Sequence, residues 1–496
     1  MLKIVTAQLK VQPGHPSENT ENMLTMIAQA KEQGADLIIF PEMAVPGYIL
    51  GATWEQYAFL KDCEECGQDI INASQDIAII FGNVAVDWEK KNYDGRVRKY
   101  NALFTAWQGK LVQPRNMPYP YVIKTLMPNY REFDDTRYFF GLKQLAEEMG
   151  TQAAKLIGTV PLTIKGQDYN IGGFLCEDGW SEDYNLAPVE ILTRQGVDML
   201  VNISASPYTL GKNGKRHRVF GKQAKAAGVP LFYVNNVGIQ NNGKTVYTFD
   251  GSSTLYNGQG LMVDCLPKYQ QGMGIYELDK IQAMPKFQRE KKPDIAHIFT
   301  AIEYAVKEFL ADIHMDKVVI GISGGIDSAV AAALYAHILG PEKVLLVNMP
   351  SVYNSATTKG LAQELAVNLG CNYTIMPIQE SVDHTIDQLE HIPVTFLKDG
   401  SKFNLQVSSF VAENIQARDR SARVLAGAAA AFGGGFTCNA NKAETTVGYS
   451  TLYGDQSGFL CALADLWKHQ VYDLARYMNQ VVYGREVVPQ ATIDIV

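Results

Sequence analysis

Short apolar blocks rich in β-branched residues alternate with helix-like runs along most of the chain. The blocks predict buried strands and the runs predict helices. Lys3-Ile-Val-Thr-Ala-Gln-Leu9 predicts a strand and Asn19 to Gln33 a helix closed by Gly34. Ala35-Asp-Leu-Ile-Ile-Phe40 predicts a second strand, stopped by Pro41. Further strands are expected at Ile77 to Val86, Ala102 to Trp107, Ile171 to Leu175, Asp198 to Asn202 and Pro230 to Val237. Such a mixture argues one α/β or α+β domain that ends near residue 275. Met284-Pro-Lys-Phe-Gln-Arg-Glu-Lys-Lys-Pro293 is charged and flanked by prolines, the composition of a linker. The expected division is therefore 1–275, a linker over 276–294, and 295–496.

From Ile295 a helix leads to a strand at Val318, and βα units then repeat. Lys343-Val-Leu-Leu-Val-Asn348 and Tyr373-Thr-Ile-Met-Pro377 are strand-like, with a helix around Leu361 to Leu369 between them. That rhythm predicts a doubly wound parallel sheet. No repeat and no low-complexity tract is visible.

Composition narrows the class. With 496 residues, 47% hydrophobic and 19% charged, the chain can bury large cores in at least two domains. A net charge of -8 argues against a general nucleic-acid or anionic-membrane binder. No run of eighteen apolar residues is present, so no membrane-spanning helix is expected. Met1-Leu-Lys-Ile-Val-Thr-Ala starts as a strand, so no secretory leader is expected. Seven cysteines, an odd number, suit a reducing, cytoplasmic setting. Cys63-x-x-Cys66 lacks a second pair at zinc-like spacing and reads as two unligated thiols on a helix.

The densest chemical signal is Ser323-Gly-Gly-Ile-Asp-Ser328, between the apolar run ending at Ile322 and an Ala-rich helix. A glycine turn feeding a helix N-terminus presents N–H groups to an anion, most often phosphate. Asp327 beside it suits a divalent cation. Gly321-Ile-Ser323-Gly-Gly325 also fits the G-x-S-x-G nucleophile elbow, and a plain structural turn is the third reading. The elbow needs a later acid and histidine. His384, His391 and His469 carry no supporting pattern, and the elbow leaves Asp327 and Ser328 without a role. The hexapeptide resembles the pyrophosphatase loop of the ATP-dependent adenylating amidotransferases and synthetases.

Three features of the first domain each have a bland reading alone. Phe40-Pro-Glu42 puts a carboxylate at a strand end, Lys124 precedes Pro128-Asn-Tyr130, and Cys176 stands where the strand Gly173-Phe-Leu175 breaks into Glu177-Asp-Gly-Trp180. Together with Pro46-Gly-Tyr48, Arg137-Tyr138-Phe139, Ser206-Pro-Tyr208 and Phe249-Asp-Gly-Ser252, they resemble the nitrilase, or carbon–nitrogen hydrolase, family. The resemblance implies an α-β-β-α sandwich and a Glu42–Lys124–Cys176 triad. Glu42 would take the thiol proton, Cys176 would attack an amide carbonyl, and Lys124 with the Glu177 N–H would hold the oxyanion. Tyr48, Tyr130, Glu177 and Ser206 would contact glutamine.

Downstream come Glu413-Asn-Ile-Gln-Ala-Arg418, Asn439-Ala-Asn441-Lys-Ala-Glu444, Gly448-Tyr-Ser-Thr-Leu-Tyr-Gly-Asp455 and Asp465-Leu-Trp-Lys468. This set resembles the NAD synthetase family, and its pairing with a nitrilase-like domain resembles the glutamine-dependent branch. That implies ATP and deamido-NAD as substrates, Mg2+ held by Asp327 and Glu444, and phosphates cradled by Ser323, Gly324, Gly325 and Ser328. Arg418 and Lys468 would meet nucleotide phosphate, Asn439 would touch ATP, and Asp455 would sit by the ammonia site. An ammonia tunnel and a homo-oligomer, at least a dimer, are further implications. An amidase fused to a different ATP-pyrophosphatase and a catalytically dead regulatory relative are the competing readings.

Three departures from the family pattern follow. Asn241 to Val246 replaces an acidic–hydrophobic continuation after Gln240, and Asn439 stands where many relatives carry Thr. Beyond Ile495-Val496 the family continues with a segment that closes over the synthetase site, so 295–496 is expected to lack that end.

Overall fold

The computed structural model describes residues 2–241, 243, 245–351 and 356–494, with side chains omitted at 356–359. Asn242 and Lys244 of the departing loop, and the end Ile495-Val496, lie outside the described residues. Two compact units form, Met1–Lys291 and Lys292–Val496.

The first unit is built on two sheets. In one, Lys3–Gln8, Leu37–Ile39 and Ala78–Lys91 run parallel, flanked by antiparallel Gly272–Glu277 and Val97–Trp107. In the other, Gln167–Leu175, Met199–Ser204 and Leu231–Asn235 run parallel, between antiparallel Val160–Ile164 and Thr254–Tyr256. Strand side chains alternate between faces, so each sheet needs two apolar partners. Ile4, Ile39, Ile80, Ile171, Val201 and Phe232 meet in one buried cluster that joins the two sheets. Val5, Ile38 and Phe81 face outward onto helices Pro16–Glu32 and Tyr57–Asn72. Phe174, Leu200 and Tyr233 pack on helices Pro188–Arg194 and Lys212–Ala227. The order helix, sheet, sheet, helix is the α-β-β-α sandwich.

Two local differences from the sequence reading have clear causes. The first helix begins at Pro16, where the missing N–H costs nothing, rather than at Asn19. The stretch 276–283, expected in the linker, is ordered in the first unit. Glu277 ends a strand and Leu278–Ala283 is a 3-10 helix, because Tyr276 and Ile281 are buried with the inter-sheet cluster. Cys63 and Cys66 lie on the helix Tyr57–Asn72 as buried free thiols.

The second unit carries a four-stranded parallel sheet. Asn372–Ile375, Val344–Asn348, Val318–Gly321 and Gly435–Phe436 stand in that order. Val318 and Ile320 face the helices Asp294–Asp312, Ile326–Leu339 and Lys468–Tyr477. Val319 and Val347 face the helices Gln379–His391 and Ala426–Phe432. Both faces are covered, which makes the sheet doubly wound. The sequential strands step away from Val318–Gly321 to one side, and Gly435–Phe436 lies on the other. The strand order therefore reverses beside Val318–Gly321, and the crevice at the carboxyl ends there is where such sheets bind ligands.

Leu334 is fully buried in the cluster that joins the sheet to its helices. Leu334→Ala should destabilise the second unit by about 2–5 kcal/mol, read as a lowered midpoint in denaturant unfolding.

Candidate active sites

In the first unit three strand ends converge. Glu42 follows Leu37–Ile39, Lys124 follows Val122–Ile123, and Cys176 follows Gln167–Leu175. Gly82 lets the Glu42 turn approach, since a Cβ there would lie 2.6 Å from Glu42 Cα and 2.4 Å from the Met43 nitrogen. Cys176 has φ +33° and opens a 3-10 turn. A non-glycine residue held there stores strain of about 1–3 kcal/mol, and such strain clusters at reacting residues.

The Lys124 ammonium is fully buried and donates to Glu42 Oε1 at 2.9 Å, Asp135 Oδ2 at 2.8 Å and Tyr48 Oη at 3.1 Å. Burial alone would lower its pKa. Asp135 and Glu42 outweigh burial and hold it well above the ordinary lysine value. Glu42 also accepts from Asn101 Nδ2 at 2.8 Å and from the Ala205 N–H at 2.8 Å. Burial, and then the Glu42 carboxylate, push the Cys176 thiol up, with Lys124 acting in the opposite sense.

Asp178 fixes this assembly from behind. Its carboxylate accepts N–H groups of Thr125 at 3.1 Å, Leu126 at 2.7 Å and Leu175 at 3.4 Å, so it fastens the residues beside both Lys124 and Cys176. Burial raises its pKa to about 7 despite those amides.

A cavity of about 670 Å3 opens onto Cys176 and is lined by Tyr130, Glu177, Tyr184, Ser206 and Lys212 among others. Glu177 accepts from Tyr130 Oη at 3.0 Å and Tyr184 Oη at 2.9 Å. Tyr130, Glu177 and Ser206 thus meet at the cavity. Tyr48 does not line it. Its hydroxyl donates to Asp135, behind Lys124, and its ring lies 5.0 Å from the ammonium. Asp135 was missed in the sequence, because neither its type nor its spacing separates it from the neighbouring Asp134.

In the second unit a cavity of about 700 Å3 lies at the strand-order reversal. Ser323, Asp327, Ser328, Asn439, Glu444 and Asp455 line it. Gly324, at φ +86°, makes the turn. Gly325 N–H donates to Ser323 Oγ at 3.2 Å, and Ser323 and Ser328 hydroxyls lie 3.3 Å apart. The Ser323 hydroxyl is thus engaged within its own loop, and no histidine is among the residues that line the cavity. Lys468 pairs with Asp327 Oδ2. Asn439 Nδ2 donates to Gly321 O at 3.2 Å, and Asp455 Oδ1 accepts from the Thr451 N–H at 2.7 Å.

Arg418 is not among the cavity-lining residues and donates to Leu452 O at 3.2 Å. Arg420 lines the cavity instead. It lies in the π-helical stretch Asp419–Leu425, whose wider turn changes which side chains share a face. Sequence periodicity alone does not reveal that turn.

Asn441, fully buried, is a second residue whose role was missed. Its Nδ2 donates to Asp327 Oδ1 at 2.9 Å, while its Oδ1 caps the helix Lys442–Val447 at Ala443 and Glu444. Its own N–H donates to Glu444 Oε2 at 3.1 Å. One residue, through its side-chain amide and its backbone N–H, thereby ties together the two carboxylates expected to hold Mg2+. Among the described residues no cluster of three or more His, Cys, Asp or Glu could form a closed metal cage. Two carboxylates facing an open cavity fit a magnesium ion that takes its remaining ligands from phosphate and water.

Comparison with known proteins adds the family. Residues 3–286 match the carbon-nitrogen hydrolase family model and residues 298–494 the NAD synthase model. A glutamine-dependent NAD(+) synthetase of Synechocystis sp. is 33% identical, over 97% of this chain and 81% of the relative. One from Acinetobacter baylyi is 30% identical, over 99% of this chain and 82% of the relative. Among solved structures, the glutamine-dependent NAD+ synthetase of Acinetobacter baumannii in complex with ADP superposes with a TM-score of 0.81 at 28% identity. It covers 99% of this chain and 84% of that one.

A buried thiol held neutral should react only as fast as the small thiolate fraction allows. Alkylation of Cys176 by iodoacetamide should therefore rise about tenfold per pH unit between about pH 6 and 9 without levelling. A plateau near neutrality would show a thiolate formed before substrate arrives.

Proposed function

The chain belongs to the glutamine-dependent NAD(+) synthetase family, and on that footing we propose which of its residues run each half of the reaction. It is a ligase with ATP and deamido-NAD as substrates and glutamine as nitrogen donor. The match of residues 298–494 to the NAD synthase model removes the reading as an amidase joined to a different ATP-pyrophosphatase.

In the first half, Glu42 takes the Cys176 proton as sulfur attacks the side-chain amide carbonyl of glutamine. Lys124 and the Glu177 N–H stabilise the oxyanion, already aimed at where charge develops. The proton passes from Glu42 to the leaving nitrogen, and ammonia departs from a thioester. Water, activated by Glu42, then hydrolyses the thioester to glutamate. Tyr130, Glu177 and Ser206 contact the substrate. Tyr48 acts from behind by fixing Asp135.

In the second half, the nicotinate carboxylate of deamido-NAD attacks the α-phosphorus of ATP. An acyl adenylate forms and pyrophosphate leaves. Ammonia displaces AMP to give NAD(+), and Asp455 accepts the proton that ammonia gives up. The Ser323-Gly-Gly turn and Ser328 cradle phosphates at the helix N-terminus. Asp327 and Glu444 would hold Mg2+, which neutralises phosphate charge. Lys468 and Arg420 supply further positive charge, with Arg418 at the edge and Asn439 on the nucleotide side.

Free ammonia is mostly protonated at neutral pH, so the reading includes its passage between the two sites without release. It also includes a homo-oligomer. Phe396, Leu397 and Phe403 are exposed on the hairpin Val394–Phe396 with Ser401–Phe403, and Phe410 and Tyr449 are exposed at the cavity rim. Apolar surface of that kind marks an interaction face. No helix of the described residues is long and apolar enough to cross a membrane, and the reading includes a cytoplasmic setting.

The single observation that carries the assignment is the buried Lys124 cluster beside Cys176, in the same chain as the Asp327–Glu444 cavity. Cys176→Ala should lose NAD(+) formation from glutamine and keep it from ammonium salts. Retention of the glutamine reaction would sink the assignment of Cys176. Loss of both would point to a structural role. Absence of both in the unmodified chain would favour the regulatory reading. Glu444→Gln should depress synthesis from either nitrogen source by roughly 100-fold or more, with glutamine hydrolysis still measurable.

A further inference from the structure

Two cysteines of the second unit take no part in the chemistry described above, yet they stand beside its cavity. We propose that Cys438 and Cys461 are a peroxide-sensitive thiol pair, and that closing it as a disulfide shuts down the nucleotide cavity of the second unit. The expected loss of synthesis rests on the synthetase reading of that cavity, whereas the pairing of the thiols does not.

Cys438 and Cys461 face each other across a parallel β-bridge. Cys438 N–H donates to Leu460 O at 3.1 Å and Phe459 N–H to Phe436 O at 3.0 Å, so backbone bonds hold the two segments side by side. Gly458, at φ +138°, permits that approach, since a Cβ there would lie 2.4 Å from the Cys438 nitrogen. Neighbouring strands lie about 4.7–4.9 Å apart, inside the roughly 4.4–6.8 Å window of Cα separations that a disulfide spans. The thiols also sense each other. Donation from Cys461 holds the Cys438 thiol below the ordinary cysteine value, and the same contact, with burial, holds Cys461 above it. Cys438 is buried and Cys461 half-buried, which leaves the pair within reach of a small oxidant.

The oxidant is a peroxide, and the step balances. The Cys438 thiolate attacks one peroxide oxygen, the O–O bond breaks, and hydroxide departs from a sulfenic acid on Cys438. Cys461 gives its proton to that hydroxide and attacks the Cys438 sulfur. The S–S bond forms, the S–O bond breaks, and the departing hydroxide recovers the proton that Cys438 first gave up. The thiols lose two electrons, the peroxide gains them, and two waters are released.

Closure disturbs the cavity wall. In the neutral pair Cys438 Sγ donates to Asp455 O at 3.4 Å and Cys461 Sγ to Ala440 O at 3.1 Å. A disulfide carries no S–H, so both carbonyls lose their donor. Ala440 and Asp455 line the cavity, as do Thr437 and Asn439 on either side of Cys438. The loop that the bond would close, 438–461, also contains Glu444. Drawing the sulfurs to about 2.05 Å therefore moves residues assigned to the metal, the nucleotide and ammonia, and adenylate chemistry tolerates little misplacement.

The test uses the full chain carrying Cys176→Ala, so that peroxide cannot act on the amidase nucleophile, with ammonium as the nitrogen donor. The reduced protein is exposed to hydrogen peroxide, alkylated and digested. Mass spectrometry should find a peptide that links Cys438 to Cys461. NAD(+) formation should fall roughly 10- to 100-fold, and dithiothreitol should restore it to within about twofold. Cys461→Ala on the same background should keep its synthesis through the same exposure to within about twofold. The proposal is overturned if no linked peptide forms, if it forms and synthesis is unchanged, or if Cys461→Ala loses as much as its parent. If Cys461→Ala has a depressed thermal midpoint, the linked peptide and the recovery with dithiothreitol decide without it. Failure of the synthetase reading looks different, because the untreated chain would then form no NAD(+) from ammonium, and the linked peptide would still decide whether the pair closes.

Discussion

The Lys124 ammonium, shut away from solvent between Glu42 and Asp135, sets the terms for the rest of the first unit. An unpaired charge at that depth would cost several kcal/mol. Two carboxylates meet it, and each is held in turn. Asn101 and the Ala205 N–H fasten Glu42, while Tyr48 fastens Asp135. These anchors come from positions far apart in sequence. The sandwich therefore has to assemble before the cluster exists, and removing one partner leaves another buried and unpaired. The approach of Gly82 to the Glu42 turn follows from the same demand for close placement.

How much of this the sequence made legible depended on whether a signal was local. Strand-like blocks and βα alternation mapped onto the two sandwich sheets and the doubly wound sheet because burial periodicity is a local property. Glu42, Cys176 and the Ser323 turn were visible because each sits where an apolar strand breaks, and Lys124 from its place before Pro128-Asn-Tyr130 in a pattern that resembles the nitrilase family. Asp135 and Asn441 were not. Their importance comes from what folds against them, and an aspartate after an aspartate or an asparagine before a lysine carries no such mark. Tyr48 was read as a substrate contact from its place after Pro46-Gly47, yet its hydroxyl is spent on Asp135. Arg418 was the expected cation, and the π-helical turn that gives the cavity Arg420 depends on backbone geometry that composition does not encode.

The second unit solves a different problem. Its ligands are highly charged, so the site is placed where the sheet topology leaves a crevice and where helix N-termini point inward. Asp327 is on the helix that follows one strand and Glu444 on the helix that follows the neighbouring strand. Two carboxylates on separate elements repel each other, and the structure offsets this with Lys468 on Asp327 and with Asn441 between them. The asparagine holds one carboxylate through its side-chain amide and the other through its backbone N–H, and adds no charge of its own.

The two units also differ in when they generate charge. In the first, burial and then the Glu42 carboxylate push the Cys176 thiol up and outweigh Lys124, which acts in the opposite sense. Lys124 could stabilise a thiolate, but its positive charge is already shared between two carboxylates. Negative charge near sulfur becomes favourable only when it can move onto a carbonyl oxygen seated against Lys124. On the proposed mechanism, proton transfer to Glu42 is then driven by the approach of the amide itself. A thiol governed in this way resists ionisation, and with it adventitious oxidation, while the cavity is empty. On that mechanism, ammonia production is tied to a correctly seated substrate.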